Sequence, residues 1–83
     1  MTLVVLAEAR KALAALQPAL RRRIMASIER IYTNPRAPNN NLKPLKGLRR
    51  GYRIRVGDWR VSFTLGTGTM TVFEIAPRGG AYR

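Results

Sequence analysis

Two runs of alternating residues, joined by a pair of turn residues, constrain this chain more than anything else in it. Tyr52, Ile54 and Val56 alternate with Arg53 and Arg55, Gly57-Asp58 follows, and Trp59, Val61, Phe63 and Leu65 then alternate with Arg60, Ser62 and Thr64. A period of two puts the apolar side chains on one face of a strand. A Gly-Asp pair between two such runs reads as a tight hairpin. With Gly57 and Asp58 as the loop, Val56 pairs with Trp59, Arg55 with Arg60, Ile54 with Val61 and Arg53 with Ser62. One face is then apolar and needs cover, while the other carries Arg53, Arg55 and Arg60.

The cover precedes the hairpin. Leu3 to Leu6 is a short apolar run consistent with a buried strand, too short for periodicity to decide. Residues 7–16 are rich in good helix formers, and Ala9, Leu13 and Leu16 share a helical face. Gln17-Pro18 interrupts this helix, and Pro18 suits the first turn of another. Leu20, Ile24, Ile28 and Ile31 predict a second amphipathic helix over 18–32, with Arg21, Arg22, Arg23, Glu29 and Arg30 on its polar face. Asn34-Pro35 ends it, because the residue before proline disfavours the α region. Residues 36–46 hold three Asn and two Pro and read as a loop. Beyond a turn at 66–69, residues 70–76 predict a last strand, apolar on both sides as a strand covered on both faces would be. No internal repeat or second domain is visible. The reading is therefore one α+β domain over 1–83, ordered β-α-α-β-β-β. Two N-terminal helices pack on a mainly antiparallel sheet.

Charge narrows the function. Sixteen Lys and Arg, thirteen of them Arg, face four Asp and Glu, for a net charge of +12. Such a field on so small a body attracts polyanions, and Arg suits bidentate contact with phosphate and stacking on bases. There is no Cys and no His. Disulfides, thiolate nucleophiles and Cys/His zinc sites are thereby excluded, and four acids in all make a two-metal carboxylate site a poor expectation. No metal and no cofactor are expected. The apolar N-terminal run meets Glu8 and Arg10 too soon for a signal segment or a membrane span. The expected address is the cytoplasm, with no membrane partner.

Arg55 directly opposite Arg60 is unfavourable by itself, since like charges across a strand pair destabilise it. The three arginines have no acid opposite them in the hairpin. That leaves two readings, a solvated face or a site for an anion, and the second explains the repulsion. Tyr52 and Trp59 read as core or hairpin-end packing, with base stacking the alternative for Trp59. Arg21, Arg22 and Arg23 either grip RNA or are solvated. Glu8, Glu29 and Glu74 read as structural.

The run Leu48-Arg49-Arg50-Gly51-Tyr52-Arg53-Ile54-Arg55-Val56-Gly57-Asp58-Trp59-Arg60-Val61 resembles the hairpin of the RelE/ParE toxins of type II toxin–antitoxin systems. Asn34-Pro35-Arg36 and Leu45-Lys46-Gly47-Leu48 look like that family's loop, and the stretch from Ile75 to Tyr82 is similar to its close. The resemblance covers nearly the whole chain. It implies a RelE-like messenger RNA interferase that inhibits translation. In such an endoribonuclease, which acts in the ribosomal A site, the 2′-hydroxyl attacks the adjacent phosphate, leaving a 2′,3′-cyclic phosphate and a 5′-hydroxyl. By position it implies catalytic roles for Arg60, Arg78 and Tyr82, and RNA or phosphate binding by Arg53 and Arg55. Lys43, Lys46, Arg49 and Arg50 read as rim charges that track the backbone.

Where relatives carry Lys, Glu or His for proton transfer, this chain has Arg, Gly or Pro. Arg60 and Arg78 are then phosphate clamps, and Tyr82 is an orienter or base, if it does not simply close the sheet edge. The resemblance also implies an acidic antitoxin, a toxin–antitoxin hetero-oligomer, and messenger RNA and the ribosome as targets. An antitoxin helix is expected in the place of the C-terminal helix that some relatives carry beyond the position of Arg83. The alternatives are a ParE-type inhibitor of DNA gyrase and a basic RNA- or ribosome-binding domain without catalysis.

Overall fold

In the computed structural model, which describes residues 2–36 and 41–77, the chain runs through β1 (Thr2–Val5), α1 (Ala7–Ala14), α2 (Pro18–Thr33), β2 (Leu42–Pro44), β3 (Gly51–Val56), β4 (Trp59–Gly66) and β5 (Thr69–Pro77). The strands form one sheet in the order β1-β5-β4-β3-β2. β1 runs parallel to β5, and all other pairs are antiparallel. The expected order of elements is present, with one short edge strand added. Leu42–Pro44 pairs with β3 inside the stretch read as loop. Three residues ending in proline carry no alternation to read, and an edge is where a strand tolerates proline.

The register of the β3–β4 hairpin is the one expected from alternation: Val56 with Trp59, Arg55 with Arg60, Ile54 with Val61 and Arg53 with Ser62. Gly57 opens the turn at φ 61, a left-handed conformation that glycine adopts at little cost.

Both helices lie on one face of the sheet. α1 packs on β5 and α2 reaches β3. Ala9 from α1, Ile24, Ile28 and Ile31 from α2, and Ile54, Val56, Val61, Phe63, Met70, Val72 and Ile75 from the sheet close a single cluster. Phe63, Ile24, Ile28, Met70, Val61 and Val72 are fully buried, each contributing about 1.5–3 kcal/mol relative to exposure. Leu16 is buried where the helices meet.

Arg21 makes that corner. Its Nε donates to the carbonyl of Leu13 (3.2 Å), and its Nη2 to those of Ala14 (3.2 Å) and Leu16 (2.8 Å). These are carbonyls around the end of α1, where a helix runs short of backbone donors and Leu13 O has Leu16 N as well, and a cation there also meets the favourable end of the helix dipole. Of the three arginines opening α2, Arg21 is thus engaged with the fold. The guanidinium of Arg23 lies against the β3–β4 turn, where a Cβ on Gly57 would come 3.5 Å from its Nη1.

β5 departs from the expected strand. Helices cover only one of its faces, and its alternation breaks. Ser62 pairs with Glu74 and Phe63 with Val72, so Phe73 is an extra residue in the ladder. Such a bulge shifts the side-chain phase by one. Met70 and Val72 point to the core before it and Ile75 after it.

Candidate nucleic-acid interface

The face of the sheet away from the helices holds the cations. Reading across the strands, Lys43 stands beside Arg53, Arg53 beside Ser62, and Ser62 beside Glu74. One step along, Arg55 stands beside Arg60 and Arg60 beside Ala76. Lys43 and Arg55 are exposed, while Arg53 and Arg60 are half-buried. Lys43, Arg53, Arg55 and Arg60 therefore share one open surface. β2 contributes Lys43 from a strand, where the sequence suggested a loop.

Within the hairpin no acid stands opposite the arginines, as expected. The neighbouring strand β5 nevertheless brings one to the cluster. Arg60 Nη2 lies 3.2 Å from Glu74 Oε1, and Ser62 Oγ donates to the same oxygen at 3.4 Å. The bulge at Phe73 is the cause. With unbroken alternation Glu74 would share the core-facing phase of Met70 and Val72, and the extra residue turns it to the open face beside Arg60. Ser62 is only 2% exposed although it lies on the helix-free side. Arg60 Nε is buried and meets no acceptor among the described residues. Arg53 and Arg55 form no ion pair among the described residues, so the repulsion between Arg55 and Arg60 is relieved only on the Arg60 side.

Lys46, Arg49 and Arg50 are exposed on the segment that leads into β3. That segment closes in a turn where Gly51 N donates to Leu48 O at 3.0 Å. Gly51 allows the closure, because a Cβ there would come within 2.7 Å of the Leu48 side chain. Arg50 sits in this turn at φ 58, unlike every other described residue except glycines. Its backbone is pinned by Leu65 N donating to Arg50 O (3.0 Å) and Leu45 N donating to Gly51 O (2.9 Å). A left-handed arginine costs roughly 1–2 kcal/mol, and the surrounding ladder holds it there.

Tyr52 and Trp59 are packed against the core, and Tyr52 stacks on Phe63 with ring centroids 6.0 Å apart. The packing reading of both stands. β5 ends at Pro77, opposite Trp59; the expected site residues Arg78 and Tyr82 lie outside the described residues. Among the described residues no three groups of His, Cys, Asp or Glu come together as a metal site, and no helix is long and apolar enough to cross a membrane.

The sequence profile of the ParE toxin of type II toxin–antitoxin systems, parDE, matches residues 3–82. The chain belongs to this toxin family. No curated protein sequence matches it, but solved structures do. A chain of the RelB–RelE antitoxin–toxin complex from Methanococcus jannaschii is 27% identical, covering 95% of this chain and 94% of that one, with a TM-score of 0.75. A chain of the RelE–RelB complex from Pyrococcus horikoshii is 25% identical with a TM-score of 0.79, over 94% of both chains. The YoeB/ParE toxin from Agrobacterium tumefaciens shares the fold at 19% identity, covering 93% of this chain and 98% of that one, with a TM-score of 0.77. The α+β arrangement of this ParE-family toxin, two helices on a mostly antiparallel five-stranded sheet, is that of the RelE-like toxins.

Proposed function

We propose that this toxin, as one domain over 1–83, is a metal-independent and ribosome-dependent endoribonuclease that cleaves messenger RNA by attack of a 2′-hydroxyl on the adjacent phosphate. The observation that carries the reading is the grouping of Lys43, Arg53, Arg55 and Arg60 on one helix-free face. Such a face presents preorganised donors to a phosphate whose negative charge grows in the transition state. Each well-placed donor of that kind is worth about 3–4 kcal/mol. Arg60 and Arg78 clamp the scissile phosphate, Tyr82 orients the substrate or takes part in proton transfer, and Arg53 and Arg55 bind the flanking phosphate. Lys43, Lys46, Arg49 and Arg50 track the backbone around the site.

An acidic antitoxin is the partner that a +12 body of this kind calls for. The RelE–RelB complexes among the similar structures support a hetero-oligomer with it. Translating ribosomes put the site of action in the cytoplasm. The test is induction in cells with 5′-end mapping of messenger RNA, wild type beside Arg60→Ala and Tyr82→Phe. New in-frame ends that vanish in both variants are the expected result. Growth arrest without new ends refutes the reading.

The match to the ParE profile favours a second reading, inhibition of DNA gyrase. Loss of gyrase supercoiling in the presence of purified toxin, undiminished by Arg60→Ala, would establish it in place of the first.

A further inference from the structure

The ribonuclease reading assigns no carboxylate to proton transfer. An attacking 2′-hydroxyl must lose a proton; guanidinium groups cannot accept it, and Tyr82 or Lys43 could do so only after losing a proton of their own. Among the described residues, the open face has one carboxylate to offer. Of the four acids, Glu8 lies on α1, Glu29 on α2 and Asp58 in the β3–β4 turn, while the bulge at Phe73 turns Glu74 to the open face. Both bonds to Glu74, from Arg60 Nη2 and Ser62 Oγ, fall on Oε1. Oε2 has no partner among the described residues, and the Glu74 side chain is 45% exposed. One oxygen is anchored by two donors on β4, which leaves the other available on the face that also carries Arg53, Arg55 and Arg60.

We propose that Glu74 is the general base of this toxin, accepting the 2′-hydroxyl proton on Oε2. The inference rests on the ribonuclease reading and adds to it a residue that the sequence left as structural. As the O2′–P bond forms, the 2′-proton passes to Oε2. The P–O5′ bond breaks, the leaving 5′-oxygen takes a proton from water, and Glu74 returns its proton to solvent. Protonation also removes the negative charge that holds Arg60. The guanidinium is released toward the phosphate at the moment when the charge there is greatest, and its buried, unmatched Nε is consistent with a side chain whose best partner is not Glu74 alone.

The test is single-turnover cleavage of messenger RNA on programmed ribosomes by wild type and Glu74→Gln, with thermal melting and ribosome affinity measured on both. The amide oxygen of glutamine still accepts from Arg60 and Ser62, so geometry is kept while the basic oxygen is lost. Cleavage should slow about 100-fold or more, the usual worth of a positioned base, with melting unchanged and affinity equal or tighter. The wild-type rate should fall on the acid side of its pH profile, and the variant should lose that limb. Among the described residues, the charged group in contact with Glu74 is Arg60 from β4, and Arg53 and Arg55 from β3 and Lys43 from β2 share its face. The arginines cannot accept a proton in its place.

Cleavage by Glu74→Gln within threefold of wild type overturns the inference alone. So does a slow variant that keeps the acid limb, which would make Glu74 only a positioning residue for Arg60. Wild-type protein that leaves the message intact on programmed ribosomes overturns the ribonuclease reading and this inference together.

Discussion

Replacing Arg21 with methionine separates an arginine that serves the fold from those that serve the site. Methionine keeps much of the apolar stem and removes the guanidinium. The carbonyls of Ala14 and Leu16 then lose this donor, and that of Leu13 keeps only its backbone donor, Leu16 N; the bonds to Leu13 and Leu16 are part-buried and that to Ala14 is exposed. Hydrogen bonds from charged groups contribute about 1.5–3 kcal/mol each, but these three share one side chain and water can replace the exposed one. A net loss of about 2 kcal/mol is expected. α1 has only eight residues, too few to be stable by itself, so the loss should appear in full. A domain of this size has about 4–12 kcal/mol of stability, and 2 kcal/mol lowers its melting temperature by roughly 8–16 °C. The assay is thermal and urea unfolding of Arg21→Met beside Arg22→Met, whose side chain is exposed and makes no hydrogen bond among the described residues. If the two variants unfold within about 0.5 kcal/mol of each other, the range of ordinary surface substitutions, the capping role of Arg21 is refuted. Well below its melting temperature, Arg21→Met should retain toxicity.

Phe63→Ala empties the centre of the core, where Phe63 is fully buried. It should cost about 3–5 kcal/mol, visible as a large fall in the urea midpoint. Arg50→Gly removes a side chain from a left-handed position. It should raise stability by up to about 1 kcal/mol while weakening ribosome binding, so a variant both less stable and equally toxic would contradict the role given to that turn. Arg55→Ala should lower the slope of log affinity against log salt for single-stranded RNA by about 0.7, the share of one phosphate contact. It should also relieve the repulsion with Arg60, so a loss of thermal stability would argue against the opposed pair being unfavourable in the free protein.

The hairpin was fully legible in the sequence because its period and its turn agree. Tyr52 to Leu65 alternates without a break, and Gly57 supplies the backbone that the turn needs. Other features escaped for separate physical reasons. Leu42–Pro44 is held by its partner β3 and not by its own composition. Arg21 sits on a polar helix face, and no pattern within α2 reveals that its acceptors belong to the preceding helix. Glu74 escaped because β5 reads as apolar on both sides, which gives an acid no face of its own, and because the strand slips phase at Phe73. A signal for it did exist. Met70, Val72 and Ile75 are the strand's fully apolar, regularly spaced positions only if one residue between Val72 and Ile75 is left out of the count. The arginine face itself was found, but without the carboxylate that shares it.

The bulge also has an evolutionary reading. Most substitutions on β5 change one side chain and leave its neighbours in place. Losing the codon for Phe73 would leave Val72, Glu74 and Ile75 alternating without a break, so Ile75 would stay in the core and Glu74 on the arginine face; a residue lost between Met70 and Val72 has no such slack. The bulge therefore marks the place in β5 where one residue can be lost without changing which side chains face the core. Lineages of this toxin should accept a one-residue deletion at the bulge, and insertions and deletions in the connection between α2 and β2, more readily than a change of length elsewhere in β5.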